Sequence, residues 1–435
     1  MTRKKIILST FGSLGDIHPY MAIAMELQAR GHQPIIGTME FYREKIIGAG
    51  LSFAPVRPNI PGPAAQDVEV INRIMEPLTG PKFLMEDLLF PAVRDAYEDL
   101  AQLSRDADLL VTHPAAPAGP LVGRKLNMPW ISTVLAPLSF FSAYDPPIPP
   151  AMQWITKLHV LGPGFNRVIH TLMKRVYRAE KFTSFRDELG LPDYGNPVFE
   201  GQHSPKLILA LFSKLFGRPQ PDWPRQARTT GFCFYDGHHE RPMPVDLKEF
   251  LEAGPAPIVF TLGSSAVWVA QEFFKHSIDA ARRLGRRAVL LVGDQANLQE
   301  QLAEGIFAAD YAPYQLLLPR ACAVVHHGGV GTTSQGLLAG VPTLIVPFAF
   351  DQFDNAEHAR RMGTSRTLYS KHYSTAAAVR ELGELLTNAT YAEKAHEVSE
   401  QLRQENGPAH AADLIEEVLT PEQTRDQELA YALSN

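Results

Sequence analysis

The sequence predicts an α/β protein of two doubly wound units, and three observations carry that reading. Apolar strand-like runs alternate with amphipathic helical segments from the amino terminus, the alternation breaks in Pro- and Gly-rich segments near the middle, and it restarts beyond residue 246. A chain of 435 residues is long enough for two domains, each with its own core.

The first unit opens with KKIILSTF as a strand, GSLGD as a loop and HPYMAIAMELQARG as a helix; QPIIGTM, FYREKIIGAG and LSFAPV then read as strand, helix and strand. Ile6 to Ser9 is apolar without alternation, as a parallel strand covered on both faces requires. Pro19 in the opening turn and Gly31 beyond the end bracket the first helix, which puts Asp16 and His18 at its mouth. That mouth lies at the carboxyl edge of the sheet, where open α/β sheets bind ligands. ADLLVTHP is a further strand ending at His113, and VGRKLNMPWISTVLAP supplies helix, turn and strand.

Residues 137–165 interrupt the rhythm with six prolines set among Phe140, Phe141, Tyr144, Met152 and Trp154. They read either as an irregular apolar loop walling a pocket or as a surface loop packed on its own aromatics. Residues 165–181 read as a helix with Phe165, Val168, Ile169, Leu172, Met173 and Val176 on one side and basic residues on the other. Such a helix suits weak peripheral contact with an anionic membrane, although the plainer reading buries its apolar stripe in the core. Residues 217–246 read as an interdomain linker. The expected organisation is therefore an amino-terminal α/β domain (1–216), the linker (217–246), a carboxy-terminal α/β domain (247–408), and a helix with a polar tail (409–435); the resemblance named below implies that the first binds the acceptor and the second the donor.

With 41 Lys+Arg against 47 Asp+Glu, the net charge of −6 lacks the basic field that nucleic-acid binding needs. No apolar run approaches the roughly eighteen residues of a membrane span, and Met1 to Thr10 is too short for a signal peptide, so a cytoplasmic location is expected. Cys233 and Cys322, each in an apolar strand-like run, are the only cysteines, too few for a disulfide framework or a zinc ribbon.

The richest chemical cluster is HHGGVGTTSQGLLAGVP, where His326, His327, Gly328, Gly329 and Gly331 follow a strand and Thr332 to Leu338 open a helix. A glycine-rich strand-to-helix turn offers bare N–H groups and a helix dipole to a phosphate or diphosphate. There is no GxxxxGK[ST], and the HGGG oxyanion reading fails because the nearest downstream string, Thr332 to Gly336, lacks the first glycine of GxSxG. In PFAFDQFDNA, Asp351, Gln352, Asp354 and Asn355 at a strand end suit a polyol, with helix capping as the plainer role of one aspartate. Asp16, His18 and His113 are the candidate bases, Asp16 and His113 sharing one sheet edge. Asp106 and Asp108 form a DxD string in a polar turn, read as solvated rather than metal-binding, so no metal site is expected.

Taken in order, GSLGDIHP, HHGGVGTT and DQFDNA resemble the signatures of bacterial and sterol glycosyltransferases in the UDP-glycosyltransferase superfamily, and the likeness covers nearly the whole chain. SPKLILALFSKLFGRPQPDWPRQARTTGFCFYDG and DQFDNAEHARRMG are further similar to the rhamnosyltransferases of rhamnolipid synthesis. The resemblance implies the GT-B fold, two Rossmann-like domains facing across a cleft, and an inverting, metal-independent hexosyltransferase. No cofactor is implied beyond the co-substrate, a UDP-sugar such as UDP-glucose or a dTDP-sugar such as dTDP-rhamnose. The acceptor is an apolar lipid, terpenoid, sterol or phenol bearing a hydroxyl. His327 and the Gly328 to Thr333 backbone would hold the diphosphate with Ser264 and Ser265; Asp351 and Gln352 would hold the sugar; Tyr311 would stack on the base. Phe140, Phe141, Tyr144 and Trp154 would line the acceptor pocket. Gln335 falls where plant members carry an acidic ribose ligand, and Asp16 and His113 fall where they carry a base His and its partner Asp, so that pair is reversed here. An NAD(P)-dependent oxidoreductase, with Glu40 as ribose ligand, and a catalytically silent sugar-nucleotide-binding protein are the alternatives.

Overall fold

The computed structural model describes residues 2–60, 68–148, 150, 153–177, 179–235, 237, 242–263, 271–293, 302 and 304–420. The first half runs β1 (Lys5–Ser9), α1 (Leu14–Ala29), β2 (Gln33–Thr38), α2 (Arg43–Gly48), β3 (Ser52–Pro55), α3 (Val68–Ile74), α4 (Gly80–Phe83), α5 (Val93–Leu103) and β4 (Leu109–Thr112). It continues through α6 (Ala118–Lys125), β5 (Trp130–Val134), α7 (Pro163–Val176), α8 (Glu180–Glu188), β6 (Ile208–Ala210) and β7 (Ala227–Thr229). The second half begins α9 (Val245–Glu252), β8 (Ile258–Thr261), α10 (Gln271–Arg283), β9 (Ala288–Leu291), β10 (Ile306–Ala309), α11 (Tyr314–Leu317) and β11 (Ala323–His326). After α12 (Val330–Ala339), β12 (Thr343–Ile345), α13 (Gln352–Arg361) and β13 (Ser365–Thr367), it ends in α14 (Thr375–Thr387), α15 (Ala389–Leu402) and α16 (Gly407–Leu419).

The strands form two parallel sheets, ordered β3-β2-β1-β4-β5-β6-β7 and β10-β9-β8-β11-β12-β13. Every residue of β4, β5, β8 and β9 is buried, which is why these strands are mostly apolar and do not alternate, with Thr112, Ser132, Thr133 and Thr261 as their buried polar members. Strand order reverses between β1 and β4 in one sheet and between β8 and β11 in the other, and loops part there to leave a crevice at the carboxyl edge. This is the doubly wound α/β architecture that the sequence predicts.

An apolar seam joins the halves: Phe212, Phe216 and Phe232 pack with Leu337, Val398 and Leu402. The last helix then returns to the first half, where Ala411, Ala412 and Ile415 enter its core and Arg30 pairs with Asp413 at 2.6 Å and Glu416 at 2.7 Å.

Four expectations are corrected. The segment read as a linker over 217–246 contains β7, the edge strand of the first sheet, because Ala227 to Thr229 pair in register with Ile208 to Ala210. Helix α1 starts at Leu14, not at His18, since Ser13 and Asp16 close a reciprocal capping box at its mouth. In α7 it is Asn166 and His170 that are buried, while Val168, Leu172 and Val176 are 57%, 51% and 55% exposed. The helix is amphipathic, but the loop beneath it asks for polar groups: Asn166 Nδ2 donates to the Ala143 carbonyl at 2.8 Å. Neither cysteine lies within a strand: Cys233 is buried in an irregular segment and Cys322 precedes β11.

Candidate active site

Strands β1 and β4 are neighbours with Ser9 beside Thr112, so the chain leaves their carboxyl ends side by side, one exit carrying Asp16 and the other His113. Gly12 has φ +134°, and a Cβ there would lie 2.3 Å from Asp16 Oδ2, so glycine lets the carboxylate fold back over the turn. Asp16 Oδ2 accepts from the Ser13 N–H at 2.7 Å and the Ser13 hydroxyl at 3.1 Å; Oδ1 faces His113 Nε2 at 3.3 Å. His113 Nδ1 accepts from the Ala115 N–H at 3.0 Å, which leaves the ring proton of the neutral imidazole on Nε2, directed at the carboxylate. The edge of Tyr20 packs on that imidazole, and its hydroxyl is fixed 2.7 Å from Thr133 Oγ1. His113 is thus engaged at both nitrogens, while the Asp16 side chain stays 31% exposed with a lone pair on Oδ1 to spare.

His18 does not join this pair. Two residues along a helix turn the side chain by about 200°, and His18 packs 5.0 Å from the Tyr235 ring. Burial, then the charge of Lys45, push its imidazole down to about 3.

In the second sheet Thr261 and His326 are paired, and the turns beyond them converge on His327. A Cβ on Gly263 or on Gly329 would lie 2.5 Å from the His327 ring, so two glycines leave room for one imidazole. That ring is buried, is pushed down to about 4 by desolvation, and has no hydrogen-bond partner at Nδ1 among the described residues. Gly329 caps α12 without a side-chain bond, so the amides of Val330, Gly331 and Thr332 lack helical acceptors. A ten-residue helix with an open amino terminus beside a neutral N–H donor suits a diphosphate. The first glycine turn differs: its helix mouth is closed by Ser13 and by the negative charge of Asp16. Glu40, the ribose ligand of the dinucleotide reading, pairs with Arg43. The geometry therefore favours the second turn as the phosphate site. A Cβ on Gly331 would meet Gly15 Cα at 3.3 Å, so the two helix mouths abut across the crevice.

Asp351 precedes α13 without a capping bond; its Oδ2 accepts from Asn355 Nδ2 at 2.7 Å, and the same amide reaches the Gly328 carbonyl at 2.9 Å. Asn355 thus ties α13 to the glycine turn. Burial first, with the charges of Asp16 and Asp354 adding and the Asn355 bond opposing, pushes Asp351 up to about 7. Gln352 spends its carbonyl on the Phe348 and Ala349 amides, which leaves only its NH2 for a ligand. The Thr333 hydroxyl is spent on the Gly329 carbonyl, and Tyr314 shares a 2.9 Å bond with Thr261. Tyr311 is 37% exposed and Gln335 half-buried. Ser264 and Ser265 lie outside the described residues, as does the side chain of Trp154.

The aromatic loop departs from the pocket reading at two positions. Phe140 stacks on Trp223 at 4.1 Å and Phe141 packs on Phe199 at 4.5 Å, so both rings serve to hold the loop to the fold. Tyr144 lines a cavity of about 880 Å3 between that loop and the outer face of α13, which shares no lining residue with the Asp16–His113 pair or the glycine turn. Asp106 and Asp108 pair with Lys5 and Lys4 where β1 and β4 begin, at the opposite edge of the sheet from Asp16. One contributor escaped the sequence reading, Ser13, whose Ser-x-x-Asp spacing is a capping-box signal; Asn355, read as part of a polyol-binding set, instead ties Asp351 to the glycine turn.

Comparison with known proteins agrees with this geometry. Residues 6–100 match the glycosyltransferase family 28 N-terminal domain, and residues 276–418 match the erythromycin biosynthesis protein CIII-like C-terminal domain. The chain is 31% identical to O-mycaminosyltylonolide 6-deoxyallosyltransferase of Streptomyces fradiae, over 95% of this chain and 97% of that one. It is 28% identical to a sterol 3-beta-glucosyltransferase of Komagataella phaffii over 94% of its own length, spanning only 34% of that longer relative. The spinosyn rhamnosyltransferase complexed with thymidine diphosphate superposes with a TM-score of 0.66 at 18% identity, over 95% of this chain and all of that one. No described helix is long and apolar enough to cross a membrane. Two switch-point crevices facing each other, one built around a carboxylate–imidazole pair and the other around an open helix mouth, thus accompany full-length relatedness, and the chain belongs to the GT-B glycosyltransferase family that includes the macrolide and sterol glycosyltransferases.

Proposed function

We propose that this protein is an inverting glycosyltransferase that moves a hexose from a UDP- or dTDP-sugar to a hydroxyl of an apolar small molecule, with Asp16 as the general base. The observation that carries the proposal is the abutment of Gly15 and Gly331, which sets the Asp16 carboxylate beside the uncapped end of α12. The acceptor hydroxyl gives its proton to Asp16 Oδ1 as its oxygen attacks the anomeric carbon. The bond from that carbon to the diphosphate breaks on the opposite face, and the nucleoside diphosphate leaves with the electron pair. Charge gathering on it meets the α12 amides and the His327 Nδ1–H, so the chain supplies its own electrostatic stabilisation without a metal ion. His113 donates to Asp16 and acts as the positioning residue, because the Ala115 amide occupies its other nitrogen. Asp351 and the Gln352 amide hold sugar hydroxyls, and closure of the two domains excludes water.

A neutral Gln335 fits a 2′-deoxyribose as well as a ribose, and the full-length relative is named for transferring a 6-deoxyallosyl group. Both support a thymidine diphosphate deoxyhexose as the first donor to try, with UDP-glucose second. The relatives named for macrolide and sterol chemistry support a bulky apolar acceptor. The test is turnover of dTDP-rhamnose and UDP-glucose with a hydroxy fatty acid, a sterol and a macrolide aglycone, the product anomer being assigned by NMR. Transfer with inversion supports the proposal; retention, or tight donor binding with neither transfer nor hydrolysis, overturns it.

A further inference from the structure

The outer face of α7 is out of keeping with a helix surrounded by water. Val168, Leu172 and Val176 form one row at i, i+4 and i+8, each more than half exposed, and Val160 and Leu161 just before the helix are 86% and 61% exposed. A contiguous exposed apolar row signals a binding surface. A second row beside it carries Arg167 and Arg175, both exposed, with Lys157 exposed nearby. The whole segment 146–179 holds five Lys or Arg and no Asp or Glu, in a chain of net charge −6. Among the described residues Glu200 pairs with Lys174 at 2.8 Å, and the charges of Asp145, Asp222 and Glu86 bear on His159, His170 and Tyr177, whereas no acidic pair is seen for Arg167 or Arg175. Aliphatic and basic rows side by side match an anionic phospholipid interface, where aliphatic side chains enter the acyl boundary and cations meet headgroups. A second copy of this chain would bring its own basic row against this one and repel it.

We infer that α7, with the turn before it, docks the protein onto an anionic phospholipid surface. The inner side of the same helix seats the acceptor-side loop: Asn166 holds Ala143 and His170 packs on Phe141, while Arg167 on the exposed flank lies over the ring of Tyr144. Docking therefore brings a loop of the acceptor half to the membrane. The inference does not depend on the donor or acceptor proposed above.

The experiment is flotation of the full chain with vesicles of phosphatidylcholine alone and of phosphatidylcholine with phosphatidylglycerol, at low and high salt. Two variants accompany it, Val168→Ser with Leu172→Ser and Val176→Ser, and Arg167→Gln with Arg175→Gln. All five positions are exposed, and circular dichroism and thermal melts check that both variants fold as the unaltered chain does. Binding should require the anionic lipid and fall with salt; either variant should lower the partition coefficient about tenfold or more. Absence of binding to anionic vesicles, equal binding to neutral ones, or full binding by both variants overturns the inference. So does a dimer in sedimentation velocity that the apolar-row variant dissolves without lipid, which would assign the face to a second copy.

Discussion

Replacing Asp351 with Asn should make the protein more stable, increasingly so as pH rises. The side chain is half-buried, and desolvation lifts its carboxyl from 3.8 to about 7. As pH rises between those values the unfolded chain releases this proton while the folded chain keeps it, so the group costs the native state stability. At roughly 1.4 kcal/mol per pH unit, the cost is about 2 kcal/mol at pH 5 and about 4 kcal/mol at pH 8. Asparagine carries no charge and retains an oxygen for Asn355 Nδ2, so its effect on packing is the same at both pH values. Urea unfolding should therefore show the stability of Asp351→Asn, relative to the unaltered protein, growing by about 2–3 kcal/mol from pH 5 to pH 8. The same linkage predicts that donor affinity of the unaltered protein weakens about tenfold per pH unit below about 7, if sugar hydroxyls bind the ionised form. The variant should bind weakly and without that slope. A stability difference that is constant across pH would refute the reasoning, since it would mean that Asp351 ionises in the folded protein as it does in the unfolded chain.

Four further outcomes are expected. Asp16→Asn should lower kcat by about 10²- to 10⁴-fold with donor affinity nearly intact, the range for loss of a general base, whereas His113→Ala should cost less; the reverse order in steady-state kinetics would make His113 the base. Gly329→Ala introduces a Cβ 2.5 Å from His327 Nε2 and should weaken nucleoside diphosphate binding about tenfold or more in calorimetry, with the melting profile unchanged. Asp354 accepts from the Ile148 amide at 3.2 Å and lies 3.3 Å from His358 Nε2, so Asp354→Ala should cost about 1–3 kcal/mol of stability, measured by urea unfolding, by leaving the Ile148 amide unpaired and His358 with only Asp145 at 3.7 Å. Burial alone would lower His358, but the bond to Asp354 and the charges of Asp354 and Asp145 raise it; its contribution should be present at low pH and lost as pH rises through that raised value, and His358→Gln should remove this dependence.

Much of the fold is legible in the sequence because parallel strands buried on both faces must be apolar throughout, and helices on a sheet must show one apolar side. The runs Ile6 to Ser9 and Ala323 to His326 declare themselves in that way, and a glycine turn after each marks a carboxyl edge. Strand β7 does not, because Ala227 to Thr229 is an edge strand of three residues whose pairing partner, not its composition, makes it a strand. Helix α7 misleads for a related reason: the 3.6-residue period reveals an apolar stripe but not which way it faces. Phe140 and Phe141 likewise read as pocket lining until Trp223 and Phe199 are found to be their neighbours.

The site divides along the same line. Residue types and local spacing by themselves determined the glycine turn at Gly329, the carboxylate at Asp16 with the Ser13 spacing that closes its helix mouth, and the acid at Asp351, because turn chemistry acts within a few residues. Only the tertiary structure decided that His113 points its Nε2–H at Asp16 while His18 points elsewhere, and that Gly15 abuts Gly331. Those facts rest on atoms brought together from more than ninety residues apart or on hydrogen bonds that fix a ring's proton, and a one-dimensional pattern carries neither.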